Sequence, residues 1–111
     1  MKNQDLFVDS SNHYLIIENN IEVGLIKLVQ YKNQSFSHIE YETYPAFRFS
    51  GIMKKHLPMY LSKLKEKCII AVVKQDNIPS IRLLQANNFN KIVSFCDVDN
   101  YIFLNPKHKF F

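Results

Sequence analysis

From His13 to Glu18 the chain reads His-Tyr-Leu-Ile-Ile-Glu, a β-rich apolar run, and a second such run extends from Ile21 to Val29. The Asn19-Asn20 pair between them is a turn signal, so the two runs predict a β-hairpin. Gln30 to Ser37 is polar and loop-like. From Ser37 to Tyr44 the pattern alternates, with Ile39, Tyr41 and Thr43 on one side and Glu40, Glu42 and Tyr44 on the other. That period predicts a strand with two unlike faces, ended by Pro45.

Ala46 to Ser50 then forms a short connection, and Ser50 is a suitable N-cap for a helix beginning at Gly51. Met53, Leu57, Leu61 and Leu64 recur at spacings of three and four and give that helix an apolar stripe. Pro58 lies within the stripe, where a proline removes one backbone hydrogen bond, crowds the preceding turn and costs about 3 kcal/mol; a kink is expected. Lys67 to Lys74 is a nearly continuous apolar run rich in β-branched residues, the pattern of a strand covered on both faces. Asn77 caps a second helix with Pro79 in its first turn, where the missing N–H does no harm. Ile81, Leu83 and Leu84 supply its buried face, and Asn87-Asn88 ends it with residues that tolerate left-handed geometry. Phe89 to Phe95 and Asn100 to Leu104 predict a final antiparallel pair turning near Asp97 to Asp99. The order β-β-β-α-β-α-β-β describes a mixed α/β (α+β) sheet.

The 111 residues suit one domain spanning 1–111. No repeat, low-complexity tract or Pro/Gly-rich linker divides them. A hydrophobic fraction of 47% with 14% aromatics excludes a disordered chain. Gly24 and Gly51 are the only glycines, so each is expected at a backbone position that needs one. The net charge of +4 can attract nucleic acid, a membrane surface or a polyanionic ligand, and it equally suits a plain soluble surface. Its lysines are scattered apart from Lys63, Lys65 and Lys67 and the tail Lys107-His108-Lys109. Cys68 and Cys96 form no CxxC pair and read as buried, reduced thiols. No apolar run approaches a membrane span and the first residues lack a signal-peptide core, so a cytoplasmic, membrane-free protein is expected. His13, His38, His56 and His108 have no metal-site spacing, and no metal is expected.

The strand–turn–helix around Arg48 is where chemistry concentrates. A helix N-terminus presents free backbone N–H groups and the positive end of the helix dipole, which suits a phosphate. Arg48 adds a full charge and Gly51 allows close approach. Capped helices after strands are common, so this feature acquires meaning only from its surroundings.

Those surroundings have an ordered pattern. Ile39-Glu40-Tyr41-Glu42-Thr43-Tyr44-Pro45-Ala46-Phe47-Arg48-Phe49-Ser50-Gly51-Ile52-Met53 resembles the signature segment of the GNAT N-acetyltransferase superfamily. It is most similar to the branch that acetylates ribosomal-protein N-termini. Asn77-Ile78-Pro79-Ser80 matches that branch's Asn-x-x-Ser element, Leu83 to Phe89 resembles the ending that follows it, and Val23 to Leu28 resembles an upstream strand. The resemblance runs from about His13 to Leu104.

It implies a GNAT-like fold in a short form, with acetyl-CoA as donor and a primary amine, on a small molecule or a protein N-terminus, as acceptor. Transfer would proceed by direct attack of the amine in a ternary complex. The strand around Glu42, Thr43 and Tyr44 would pair with the pantetheine arm. Arg48 and the backbone of Phe49, Ser50, Gly51, Ile52 and Met53 would hold the pyrophosphate, and Asn77 and Ser80 would lie beside the pantetheine and thioester. Glu40 or Glu42 would deprotonate the amine, directly or through water, and Ser80 would protonate the departing thiolate. Each has a plainer reading: strand-surface carboxylates for the glutamates, and a hydroxyl bonded to its own helix backbone for Ser80. His38 is a second candidate base and Tyr101 an outlying candidate acid.

The departures are specific. Phe49 and Met53 stand where the family's phosphate loop favours small residues, and both should crowd the pyrophosphate. Leu84 stands where many relatives carry a tyrosine acid. The family's first strand and two helices have no counterpart before His13, so the acceptor side would be open or completed by a partner, such as a second copy of the chain. Three readings therefore stand: an N-acetyltransferase, a non-catalytic acyl-CoA-binding or interaction module, and a small basic nucleic-acid-binding protein. The dispersed lysines and the absence of any RNP-like or helix-turn-helix pattern weigh against the third.

Overall fold

The computed structural model describes residues 8–32, 34–64 and 68–105. Lys65, Lys67 and the Lys107-His108-Lys109 tail lie outside the described residues. Six strands form one sheet, β1 (Val8–Glu18), β2 (Ile21–Tyr31), β3 (Phe36–Thr43), β4 (Cys68–Lys74), β5 (Asn90–Lys91) and β6 (Asn100–Leu104), in the spatial order β1-β2-β3-β4-β6-β5. Helix α1 (Ile52–Leu61) connects β3 to β4, and α2 (Ile78–Ala86) follows β4. This is the expected order of elements, in a mixed sheet in which, among the described residues, β3–β4 is the parallel pair.

β1 and β2 form the expected hairpin, with Asn19 and Asn20 both at positive φ, 53° and 66°. A two-residue turn of that geometry matches the right-handed twist of the strands it joins. Gly24 pairs with Thr43 of β3, and a Cβ there would meet the Glu42 carbonyl oxygen at 2.6 Å.

Ile16, Ile26, Ile39, Ile69, Ala71, Val73 and Phe103 bring one face of the sheet into a single core with Leu57 of α1 and Leu84 of α2. Leu15, Ile17 and Val72, which alternate with core positions, are about half exposed at 50%, 52% and 47%. The apolar run of β4 is therefore buried on one face rather than on both as expected. β-branched residues favour a strand whichever face is covered, so such a run overstates burial.

Three boundaries differ from expectation. Gly51, at φ 78°, is the N-cap of α1 in place of Ser50, whose hydroxyl instead donates to the Phe47 carbonyl. Helix α1 runs through Pro58 but stops at Leu61, and Leu64 packs against the core from the turn beyond it. The final pair is antiparallel, but β5 has only two residues, and Val93–Phe95 is a 3-10 turn. Asn77 caps α2 as expected, its side-chain oxygen accepting from the Ser80 N–H at 3.3 Å, and Asn88 closes the helix at φ 63°. Both cysteines are free and half-buried. No helix of the described residues is long and apolar enough to cross a membrane.

Candidate functional site

The parallel ladder between β3 and β4 has three paired positions, Phe36 with Cys68, Ser37 with Ile69 and His38 with Ile70. Beyond His38, β3 continues beside β2 as far as Thr43, while β4 continues beside β6 as far as Lys74. The two halves of the sheet diverge, leaving an opening of about 440 Å³ lined by residues of β3 and β4 together with Asn77, Ser80 and Leu84. Next to it a groove of about 580 Å³ runs between the end of β3, the start of α1 and the start of α2. Tyr41, Asn77 and Ser80 line both, so the groove and the opening meet at these three residues.

At the far end of the groove lies the turn that enters α1. Phe49 and Gly51 have positive φ, 66° and 78°, and among the described residues the N–H groups of Ile52, Met53 and Lys54 have no backbone acceptor. Arg48 and Lys54 line the same end. Free N–H groups, a helix N-terminus and two cations form a donor set suited to a phosphate or pyrophosphate.

Phe49 and Met53 both line this groove. Met53 is buried in the core, and the Phe49 side chain is entirely exposed, turned outward by its left-handed backbone. The groove persists beside both. Thr43 contributes its carbonyl, which accepts from Arg48 Nε at 3.4 Å. Tyr44 is less available than the strand pattern suggests, since its N–H donates to the Val23 carbonyl at 2.9 Å and its hydroxyl donates to Glu22.

Glu40 and Glu42 are both exposed but serve different cavities, Glu40 the opening and Glu42 the groove. His38 also lines the opening. Its burial holds the imidazole below the ordinary histidine range, against the attraction of Glu40 and with a smaller push from Lys27, so it is neutral at neutral pH and able to accept a proton. Ser80 does not bond its own helix backbone: its hydroxyl pairs with the Tyr41 hydroxyl at 2.5 Å. Tyr101 lines neither cavity; it packs against the core under the Lys91 ammonium, 4.1 Å from the ring centroid.

Two residues of the site were not anticipated. Alternation puts Tyr41 on the core side of its strand, and the one available signal was that a buried phenol needs a partner for its hydroxyl. Lys54, three residues after Gly51, was readable as a cation in the first helical turn. Leu84 is 1% exposed and belongs to the core. Among the described residues no group of three or more His, Cys, Asp or Glu side chains could hold a metal ion.

No family model matches the chain, and no curated protein matches it in sequence. Solved structures share its fold. A GNAT-family acetyltransferase from Bacillus anthracis is similar over 86% of this chain and 64% of its own, with a TM-score of 0.68 and 20% identity. The N-acetyltransferase PseH of Campylobacter jejuni, in complex with acetyl coenzyme A, is similar over 86% of this chain and 67% of its own, with a TM-score of 0.66 and 20% identity. RimL, a ribosomal L7/L12 alpha-N-protein acetyltransferase in complex with coenzyme A, is similar over 92% of this chain and 63% of its own, with a TM-score of 0.72 and 16% identity. The chain thus has a GNAT-like fold and spans about two thirds of the length of these structures.

Proposed function

We propose that this chain is an acyl-CoA-dependent N-acetyltransferase, which moves an acetyl group from acetyl-CoA to a primary amine by direct attack in a ternary complex. The observation that carries the reading is the meeting of a phosphate-suited groove with an opening between β3 and β4 at Tyr41, Asn77 and Ser80. A donor lying in the groove would bring its thioester to that junction, and an amine would reach it from the opening. Such positioning accounts for much of the rate gain in a two-substrate reaction.

Arg48, Lys54 and the free N–H groups of α1 bind the pyrophosphate. The unpaired edge of β3 after His38 lies along the pantetheine. Glu40 takes the ammonium proton directly or through a water, with His38 as the second acceptor in the same opening. Ser80 donates to the departing thiolate. The Asn-x-x-Ser pattern and the RimL fold support a protein α-amine as acceptor, although fold alone does not choose among amines.

Thiol release from acetyl-CoA, measured with a panel of peptide α-amines, polyamines, amino sugars and aminoacyl compounds, tests the proposal. We expect at least one acceptor to release thiol with saturation, and Arg48→Gln with Lys54→Gln to raise the KM for acetyl-CoA more than they change kcat. No binding of acetyl-CoA at millimolar concentration would sink the reading. The core position of Leu84, where relatives carry a tyrosine acid, favours a second reading as a non-catalytic acyl-CoA-binding module. Tight binding without thiol release to any acceptor would select it.

A further inference from the structure

We propose that Tyr41 is the positioning partner and proton source of Ser80. The phenol donates to Ser80 Oγ, leaving the serine proton directed to the junction of groove and opening, and it replaces that proton once it has been given away. This rests on the acyltransferase reading above.

The two hydroxyls come from distant parts of the chain, one on β3 and one in the first turn of α2, and meet at 2.5 Å across the junction. Each is held from its own side. The Tyr41 ring is half-buried and packs against the core. Ser80 is fixed at the helix start by its N–H bond to Asn77 Oδ1, leaving its hydroxyl free of the local backbone.

A serine hydroxyl alone is a poor acid for a thiolate, because its proton is held far more tightly than a thiol's. A phenol, with an ordinary pKa of about 10 against about 8.5 for a thiol, is much better matched. Serine can therefore serve as a relay with the phenol behind it. Burial raises the Tyr41 pKa, with the Ser80 hydrogen bond opposing, so the phenol is protonated at neutral pH.

The protons balance within the groups already named. The amine nitrogen forms a bond to the acetyl carbonyl carbon, and on collapse of the tetrahedral adduct the carbon–sulfur bond breaks, its electron pair leaving on sulfur. The sulfur takes the Ser80 proton, Ser80 Oγ takes the Tyr41 proton, and the proton lost by the amine returns to the tyrosinate through Glu40 and solvent in the opening. Nothing is oxidised or reduced.

The test compares wild type with Tyr41→Phe, Ser80→Ala and the double variant, using thiol release for turnover and calorimetry for acetyl-CoA binding. We expect acetyl-CoA affinity within about twofold of wild type in Tyr41→Phe, kcat lower by about 100-fold or more, and the double variant no slower than the slower single one. Wild-type kcat should also fall along an alkaline limb that is absent in Tyr41→Phe, a readout that a packing role would not move. Full kcat in Tyr41→Phe, or single losses that multiply in the double variant, would overturn the relay while leaving the acyltransferase reading intact. Should Tyr41→Phe not fold, 3-fluorotyrosine at position 41, a more acidic phenol of nearly the same shape, should bring the alkaline limb to lower pH, and a profile identical to wild type would overturn the relay equally. A wild-type protein that neither binds acetyl-CoA nor releases thiol would remove the parent reading and the relay with it.

Discussion

Gly24 and Gly51 are needed for different reasons, and the difference is measurable. A Cβ at position 24 would press on the backbone oxygen of Glu42 at 2.6 Å, and relief requires moving β2 away from β3. A Cβ at Gly51 would meet no atom within 4 Å, so alanine there suffers only the strain of its left-handed φ of 78°. Gly51→Ala should cost about 1–2 kcal/mol, the usual left-handed penalty. Gly24→Ala combines overpacking of about 1–3 kcal/mol with a disturbed ladder and should cost more. Urea midpoints of the two variants check the order, and an equal or reversed order would contradict it. At this scale the sequence showed which positions were special, but not where side chains point. Phe49 and Met53 both line the groove, but their volumes did not report that one is exposed at a positive φ and the other lies mostly in the core. The Asn77 cap was legible because a cap is a local relation, whereas Ser80 stood out only through the Asn-x-x-Ser resemblance. The Tyr41–Ser80 pair was not, since it joins residues 39 apart that only the closed fold brings together.

Between elements, the hairpin and α1 are joined by a polar contact as well as by the core. The Glu18 carboxylate, just before the Asn19-Asn20 turn, accepts from His56 Nε2 at 2.7 Å and from Lys55 Nζ at 3.3 Å. The His56 bond, and then the Lys55 bond, hold the Glu18 pKa below its ordinary 4.5. A carboxyl with a lowered folded-state pKa contributes stability that is present above the unfolded pKa and lost as pH falls through the folded one. Thermal unfolding midpoints should therefore fall below about pH 4.5 in wild type. In Glu18→Gln that acid loss should be smaller, and an identical slope in both proteins would remove Glu18 from the account. Most elements were legible because their periods are local: the hairpin, the alternating β3, the stripe of α1 and the cap of α2. β5 was not. The Cys96 sulfur accepts from the Ile102 N–H at 3.3 Å and donates to the Ile92 carbonyl at 3.2 Å, so a thiol serves backbone groups that a longer ladder would have paired. Periodicity has no means of reporting a sulfur that substitutes for a strand.

Across the whole molecule, the sheet is two halves held together by a short seam. β1, β2 and β3 form one half and β4, β6 and β5 the other, with three ladder positions, the shared core and the Tyr41–Ser80 bond across the gap. A ligand extended along the open edge of β3 would contact both halves, so its binding should tighten the seam more than the rest of the fold. The groove's cations would make part of that binding electrostatic. Arg48 and Lys54 are solvent-exposed, so their attraction for a pyrophosphate is screened as the Debye length shrinks from about 10 Å at 0.1 M salt towards about 3 Å at 1 M. Acetyl-pantetheine, which carries the thioester but no pyrophosphate, separates the two contributions. Saturating acetyl-CoA should slow amide exchange most strongly at Ile39–Thr43 and Ala71–Lys74, and at 100 times its Kd it should stabilise the protein by about 2.7 kcal/mol. Acetyl-pantetheine should protect the same segments at higher concentration, with an affinity that salt hardly changes, whereas acetyl-CoA affinity should fall steeply with salt and lose that dependence in the Arg48→Gln, Lys54→Gln protein. Protection spread evenly over the sheet, or equal salt dependence for the two donors, would mean that the groove and the seam are not where the donor binds.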